Sequence, residues 1–169
     1  MTEIKYGIFT SFLLFIWMIL VYTLIIPNFH QSKMFIGFLA LIFPAIGIYF
    51  GIKERRDKSN FGFIKFKDAF RTGIVITFIL TVMIVLFTYA YYKFVNPGYV
   101  NYVAYETEKA LMNANLSRQI IDEEVATVKY KFRFDIQIIQ QLLYVLIGGT
   151  IISLIAAQIL KKEKRGISV

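Results

Sequence analysis

The chain of 169 residues has no cysteine, which excludes a disulfide, a thiolate nucleophile and a Cys-ligated metal, and leaves the redox compartment unread. It has a single histidine, His30, and only three prolines. One imidazole in a tight polar turn, with no paired serine, carboxylate or second ligand, reads as a solvated side chain. Walker loop, dinucleotide glycine fingerprint, zinc-ligand pair and nucleophile elbow are all missing, so no cofactor and no enzymatic activity is expected. The most telling scarcity is of charge. Four long apolar stretches contain no Asp, Glu, Lys, Arg or His, the residues that mark proton relays, ion coupling and membrane catalysis because they are costly to bury.

What is present is apolar surface. Hydrophobic residues make up 57% of the chain, above the roughly 45–50% of soluble domains, and the mean hydropathy is +0.61. The four stretches cover about 6–26, 34–52, 72–92 and 136–160. At about 1.5 Å of rise per residue, ~20 helical residues match a hydrocarbon core of ~30 Å. The expected fold is an all-α integral membrane four-helix bundle, a single domain over residues 1–169. The first stretch is longer than the ~7–15 residues of a signal-peptide core, and Pro27-Asn28-Phe29 is not a small-residue cleavage site, so it reads as a retained helix.

The formal net charge of +8 sits beside the spans and not in a separate soluble domain, which argues for topology and against nucleic acid. Lys53, Arg55, Arg56, Lys58, Lys65, Lys67 and Arg71 fill the loop 53–71, and Lys161, Lys162, Lys164 and Arg165 follow the last span. The first turn offers only Lys33, and the segment 93–135 balances six Lys/Arg against six Asp/Glu. The Lys/Arg bias predicts that loop 53–71 and both termini are cytoplasmic. The same cations suit anionic headgroups.

Small residues recur at helical spacing. Gly37, Ala40, Pro44, Gly47 and Gly51 form one stripe on the second span; Gly73, Thr77 and Thr81 form another on the third, and Gly149, Ser153 and Ala157 on the fourth. Such stripes let backbones approach closely and support inter-helix hydrogen bonds. Pro44 is expected to kink its span. A compact bundle follows more readily than a pore. Gln137, Gln140, Gln141 and Gln158 read as inter-helix hydrogen-bonding groups.

The segment 93–135 is too long for a structureless loop. Asn96-Pro97 reads as the cap and first position of a helix running to about 113–115, and Ser117 caps a second. These two predict an extracytoplasmic hairpin between the third and fourth spans, anchored at the interface by Tyr89, Tyr91, Tyr92, Tyr99 and Tyr102. On the second helix Ile121, Val125, Val128 and Phe132 form an apolar stripe, the candidate contact for a partner. Asp122, Glu123 and Glu124, with Glu106 and Glu108, read as solvated helix faces. Before the third span, Gly62, Ile64, Phe66, Ala69, Phe70 and Gly73 alternate with Lys65, Lys67, Asp68 and Arg71, the pattern of an amphipathic helix lying at the interface.

The order of Lys53-Glu54-Arg55-Arg56-Asp57, the Gly62-x-Ile64-x-Phe66-x-x-Ala69-Phe70-x-x-Gly73 pattern, Tyr92-Lys93-Phe94-Val95-Asn96-Pro97, Leu116-Ser117, Gly148-Gly149 and Lys161-Lys162 resembles a family of small Bacteroidota membrane proteins. That family is catalogued as a domain of unknown function, number four-one-nine-nine. The resemblance implies four spans in a bacterial inner membrane and supplies no activity and no catalytic residue. Lys65 stands where the family often has Ser or Thr, which leaves the helix start without its usual hydroxyl cap. The function expected is non-enzymatic binding of membrane lipids and of a membrane protein partner or a second copy of the chain. The alternative is a small transporter or channel subunit whose polar path, built from Thr77, Thr81, Thr88, Gln141 and Ser153, is completed in an oligomer.

Overall fold

The computed structural model describes residues 1–21 and 39–163. The expectations placed on Pro27, His30, Lys33, Gly37, the start of the second span, Lys164 and Arg165 lie outside the described residues. Among the described residues six α-helices are seen whole, in order: α1 (Thr2–Leu20), α2 (Ile42–Glu54), α3 (Phe66–Ala90), α4 (Tyr99–Asn113), α5 (Arg118–Lys131) and α6 (Phe134–Leu160). Single π-helical turns, Arg55–Ser59 and Tyr91–Val95, extend α2 and α3. The fold is an all-α membrane helical bundle. Among the described residues, three helices are long and apolar enough to cross a membrane: Thr2–Leu20, Phe66–Val95 and Phe134–Leu160.

Helices α2 and α3 touch each other and both α1 and α6, which makes them the central pair, and the most extensive packing runs between α3 and α6. Their shared core contains Leu14, Ile48, Ile52, Ile76, Leu80 and Ala157. Outward, Phe9, Phe12, Phe78, Leu143, Ile147 and Ile159 are exposed, the surface that lipid covers in a bundle of this kind.

Pro44 lies in the first turn of α2, and the helix is interrupted at Ala40 and Leu41 just ahead of it. The ring has no N–H to give to the carbonyl four residues back, so the helix starts again where that bond is not needed.

The start of α3 differs from the expectation. Residues 66–90 form one continuous helix, not an interfacial helix that turns into a span. Gly73 is a buried packing residue inside it and not a hinge, while Ala69 is fully buried against the core. Two further boundaries shift. The first outer helix starts at Tyr99 with Gly98 as its cap, two residues past Asn96-Pro97, and the second breaks at Phe132–Arg133 before α6 begins.

One end of the bundle gathers Thr2, the end of α2, the start of α3 and the end of α6. There Lys5 meets Glu54 at 3.1 Å, Arg55 pairs with Glu3, and Ile64 and Lys162 form a two-bonded antiparallel bridge at 2.9 and 2.8 Å. The segments rich in Lys and Arg therefore share one face, here called the basic end. The opposite end carries the α4–α5 hairpin.

Candidate functional site

Three features were candidates from the sequence: the polar residues between the spans, the patterned segment before α3, and the stripe on the outer hairpin.

The polar residues meet along the α3–α6 seam. A side chain added at Gly73 would stand 2.5 Å from Ser153 Oγ and 3.2 Å from its Cα, and one at Gly149 would stand 2.6 Å from Thr77 Oγ1, so each glycine receives the other helix's hydroxyl residue. Thr77 and Ser153 are thereby brought to 3.5 Å, hydroxyl to hydroxyl. Each hydroxyl here has a partner. Ser153 donates to Gly149 O at 2.6 Å, Thr81 donates to Thr77 O at 2.8 Å, and Thr88 donates to Gln141 Oε1. Thr77, Thr81, Thr88 and Ser153 are all buried. In a low-dielectric interior a bare hydroxyl is costly, and back-bonding to the carbonyl four residues earlier satisfies it within its own helix.

The same device joins α1 to the central pair. Gly47 faces Thr10, and a side chain at Gly7 would meet Ile79 Cγ2 at 2.6 Å, while within the central pair Gly51 faces Ile76. Ala157 is fully buried and Ala40 packs at the edge of the core. The described members of the three predicted stripes thus lie at or beside helix contacts.

The patterned segment before α3 builds a latch. Gly62 takes φ +83°, a conformation that favours glycine, and its N–H reaches Arg56 O at 2.9 Å. This turn brings Ile64 across to Lys162, where its side chain is buried in the main core. Lys65 then stands at the extended N-cap position with no side-chain cap bond. Phe66 and Phe70 stack on each other, 6.1 Å between ring centres, and both pack against the core. Lys162 lies over the ring of Phe63, and Arg56 reaches toward the last carbonyl of α6, Leu160 O, at 3.5 Å. A cation there complements the helix's C-terminal partial charge.

Acids at this end are held by neighbouring cations. The Tyr6 hydroxyl, 2.8 Å away, and then Lys5 hold the Glu54 carboxyl below the usual carboxylate range. Arg56 does the same for Asp57, at 2.7 Å.

The outer hairpin is tied to the bundle by rings. Tyr91 and Tyr99 are fully buried and pack edge to face, 5.6 Å apart, with Tyr92 and Phe132 within 6 Å of Tyr99. They are core residues here and not interfacial anchors; Tyr89 and Tyr102 remain exposed. Of the predicted stripe, Ile121 is buried, Val128 and Phe132 pack on this tyrosine cluster, and Val125 is half-buried. The stripe's nearest neighbours are therefore within the chain. Glu108 and Asp122 both bind Arg118, at 2.9 and 3.2 Å, and among the described residues no three acids or histidines are grouped as a metal site would require.

A latch and a tyrosine cap could not be located from spacing alone. The signal that pointed to the latch was the unusual density of Gly, Phe and Lys between 62 and 73, which fits an interfacial helix equally well.

Apolar helices, glycine-to-hydroxyl contacts and a segregated basic end together define a membrane-embedded helical bundle. The chain belongs to the family described as "Protein of unknown function (DUF4199)", whose model matches residues 5–162. Comparisons with the curated proteins and with the solved structures find no match.

Proposed function

We propose that the protein is a four-span, multi-pass protein of a bacterial inner membrane, from a Bacteroidota-type source, that binds lipids and another membrane protein and catalyses no reaction. The basic end faces the cytoplasm and the α4–α5 hairpin faces away from it, as the Lys/Arg bias favours. The observation that carries the binding reading is the α3–α6 seam. The hydroxyls that would line a polar path are bonded to their own backbones, to one another or, for Thr88, to Gln141, and glycine contacts close the space between Thr77 and Ser153. A transport path needs such groups free to replace a solute's hydration; a packed interface needs them satisfied.

Purified protein in liposomes is expected to move no ion or small solute above a protein-free control. Reproducible flux that disappears in Thr81→Val would replace this reading with the transporter alternative. The partner is expected on the exposed aromatic face of the hairpin. A photo-crosslinking residue at Tyr105 or Tyr130, 61% and 57% exposed, should capture one stoichiometric protein in native membranes. Capture of nothing but lipid at both positions would remove the protein partner from the proposal.

A further inference from the structure

The basic end is not evenly basic. On the α1–α2 side, cations and acids face each other: Glu3 takes Arg55, Glu54 takes Lys5 and Lys58, and Asp57 takes Arg56. On α3 the balance differs. Lys67 and Arg71 are exposed, and among the described residues neither makes an ion pair, not even with Asp68, the one acid in that first turn. Among the described residues, positive charge without an ion pair therefore stands where α3 enters the membrane, at Lys65, Lys67 and Arg71, as it also does at Lys53, Lys161 and Lys162 nearby.

These two cations continue a lipid-facing stripe. At 100° per residue, positions 67, 71, 75, 78 and 82 fall on one side of a helix, and Val75, Phe78 and Val82 are exposed while Gly73, Ile76, Thr77 and Leu80 on the other side are buried. From Arg71 to Val82 the helix rises about 16 Å, comparable to an extended acyl chain, at 1.5 Å per residue. Two unpaired cations thus crown an apolar ridge of chain length. Long basic side chains at a helix end reach outward to headgroup level, which sets their charge at the depth of a phosphate. Continuity of α3 is essential to this placement: an interfacial helix turning at Gly73 would have separated the cations from the ridge.

We propose that this stripe is a binding site for an anionic phospholipid, with the headgroup phosphate held by Lys67 and Arg71 and an acyl chain laid along Val75, Phe78 and Val82. The site rests on the lipid-binding part of the proposed function and assigns it to one helix face. Charge complementarity selects an acidic headgroup over a zwitterionic one. The paired cations of the α1–α2 side do not take part.

The test uses a local reporter. In a Trp17→Phe/Val75→Trp protein, the only tryptophan stands on the ridge, and brominated lipids beside it quench its fluorescence. In mixed vesicles of phosphatidylcholine and phosphatidylglycerol, brominated phosphatidylglycerol is expected to quench more strongly than brominated phosphatidylcholine at equal mole fraction. The preference should be about fivefold per cation, the ratio that about 1 kcal/mol for each Lys or Arg near an anionic surface provides. Adding Lys67→Gln and Arg71→Gln should abolish it, whereas Lys5→Gln and Lys58→Gln should leave it intact. Equal quenching by the two lipids in the reporter protein would overturn the site without any further variant. So would a preference that survives loss of Lys67 and Arg71, or one that falls equally with Lys5 and Lys58. Failure here would leave the hairpin's protein partner and the absence of flux untouched, since those are read by crosslinking and by transport.

Discussion

The α3–α6 seam and the tyrosine cap at the hairpin's base hold the molecule together by opposite means. In the seam the contacts are made by the smallest residues available, Gly73, Gly149, Ser153 and Thr77, and the two helices approach until a single added carbon would collide. At the cap they are made by some of the largest, Tyr91, Tyr92, Tyr99 and Phe132, arranged edge to face. Solvent explains the difference. Within lipid, apolar side chains gain nothing by leaving a hydrocarbon for a protein interior, so close backbone packing and hydrogen bonds drive association. Where water is the competitor burying a large ring is favourable, and the hairpin over the cap carries the charged residues that water solvates.

If that contrast is right, each region should fail in its own way. The largest loss is expected from Tyr99→Ala, about 3–5 kcal/mol by the range for deleting a buried ring, confined to the hairpin. Hydrogen exchange should quicken across α4 and α5 while α3 and α6 keep their protection. Uniform loss of protection across all helices would mean that cap and seam are one cooperative unit.

Gly73→Ala should come next, costing about 1–3 kcal/mol as an overpacked contact, read as thermal stability in detergent. Gly47→Leu is expected to be harmful for the same reason, while Leu41→Ile keeps its volume and should cost less than about 1.5 kcal/mol. Pairing Gly73→Ala with Ser153→Gly should recover most of the loss by removing the hydroxymethyl group in the way. No recovery would show that Ser153 is not what limits the approach.

Smaller again is Thr77→Val, which removes one member of the hydroxyl pair at nearly constant shape. An inter-helix hydrogen bond in a bilayer averages about 0.6 kcal/mol, so the change should lie near that figure. A loss several times larger would make hydrogen bonding, not backbone approach, the main support of the seam.

The smallest effect belongs to the basic end. Glu54 is held below its ordinary range by Tyr6 and Lys5, so its clamp on α1 contributes at pH values above the unfolded carboxylate's range. The contribution is lost as pH falls through the depressed folded value. Amide exchange at the start of α1 should therefore rise on acidification, and Glu54→Gln should flatten that step. A step unchanged in the variant would assign it to another carboxylate.

Local chemistry made much of this legible in the sequence. Hydropathy and length depend on each segment alone, so the all-α membrane character, three helices of membrane-crossing length and the family resemblance could be read without knowing any neighbour. The small-residue stripes were legible for the same reason, since spacing at a helical repeat places them on one face. Pro44 and Ser117 were also found near the boundaries that their backbone chemistry favours.

Only the tertiary structure decided who meets whom. That Gly73 receives Ser153, that Gly149 receives Thr77 and that Ile64 bonds across to Lys162 are pairings between segments far apart in the chain, and no local pattern encodes the partner. The stripe from Ile121 to Phe132 had an apolar face by sequence, yet whether a partner or the chain's own tyrosines lie against it depended on how the hairpin sits on the bundle. The segment from Gly62 to Gly73 is the sharpest case. Its amphipathic period suits an interfacial helix and the first turns of a span equally, because both have one apolar and one basic side. Packing of Ala69 and Gly73 into the bundle favours the continuous helix, and that choice sets Lys67 and Arg71 above the lipid-facing ridge.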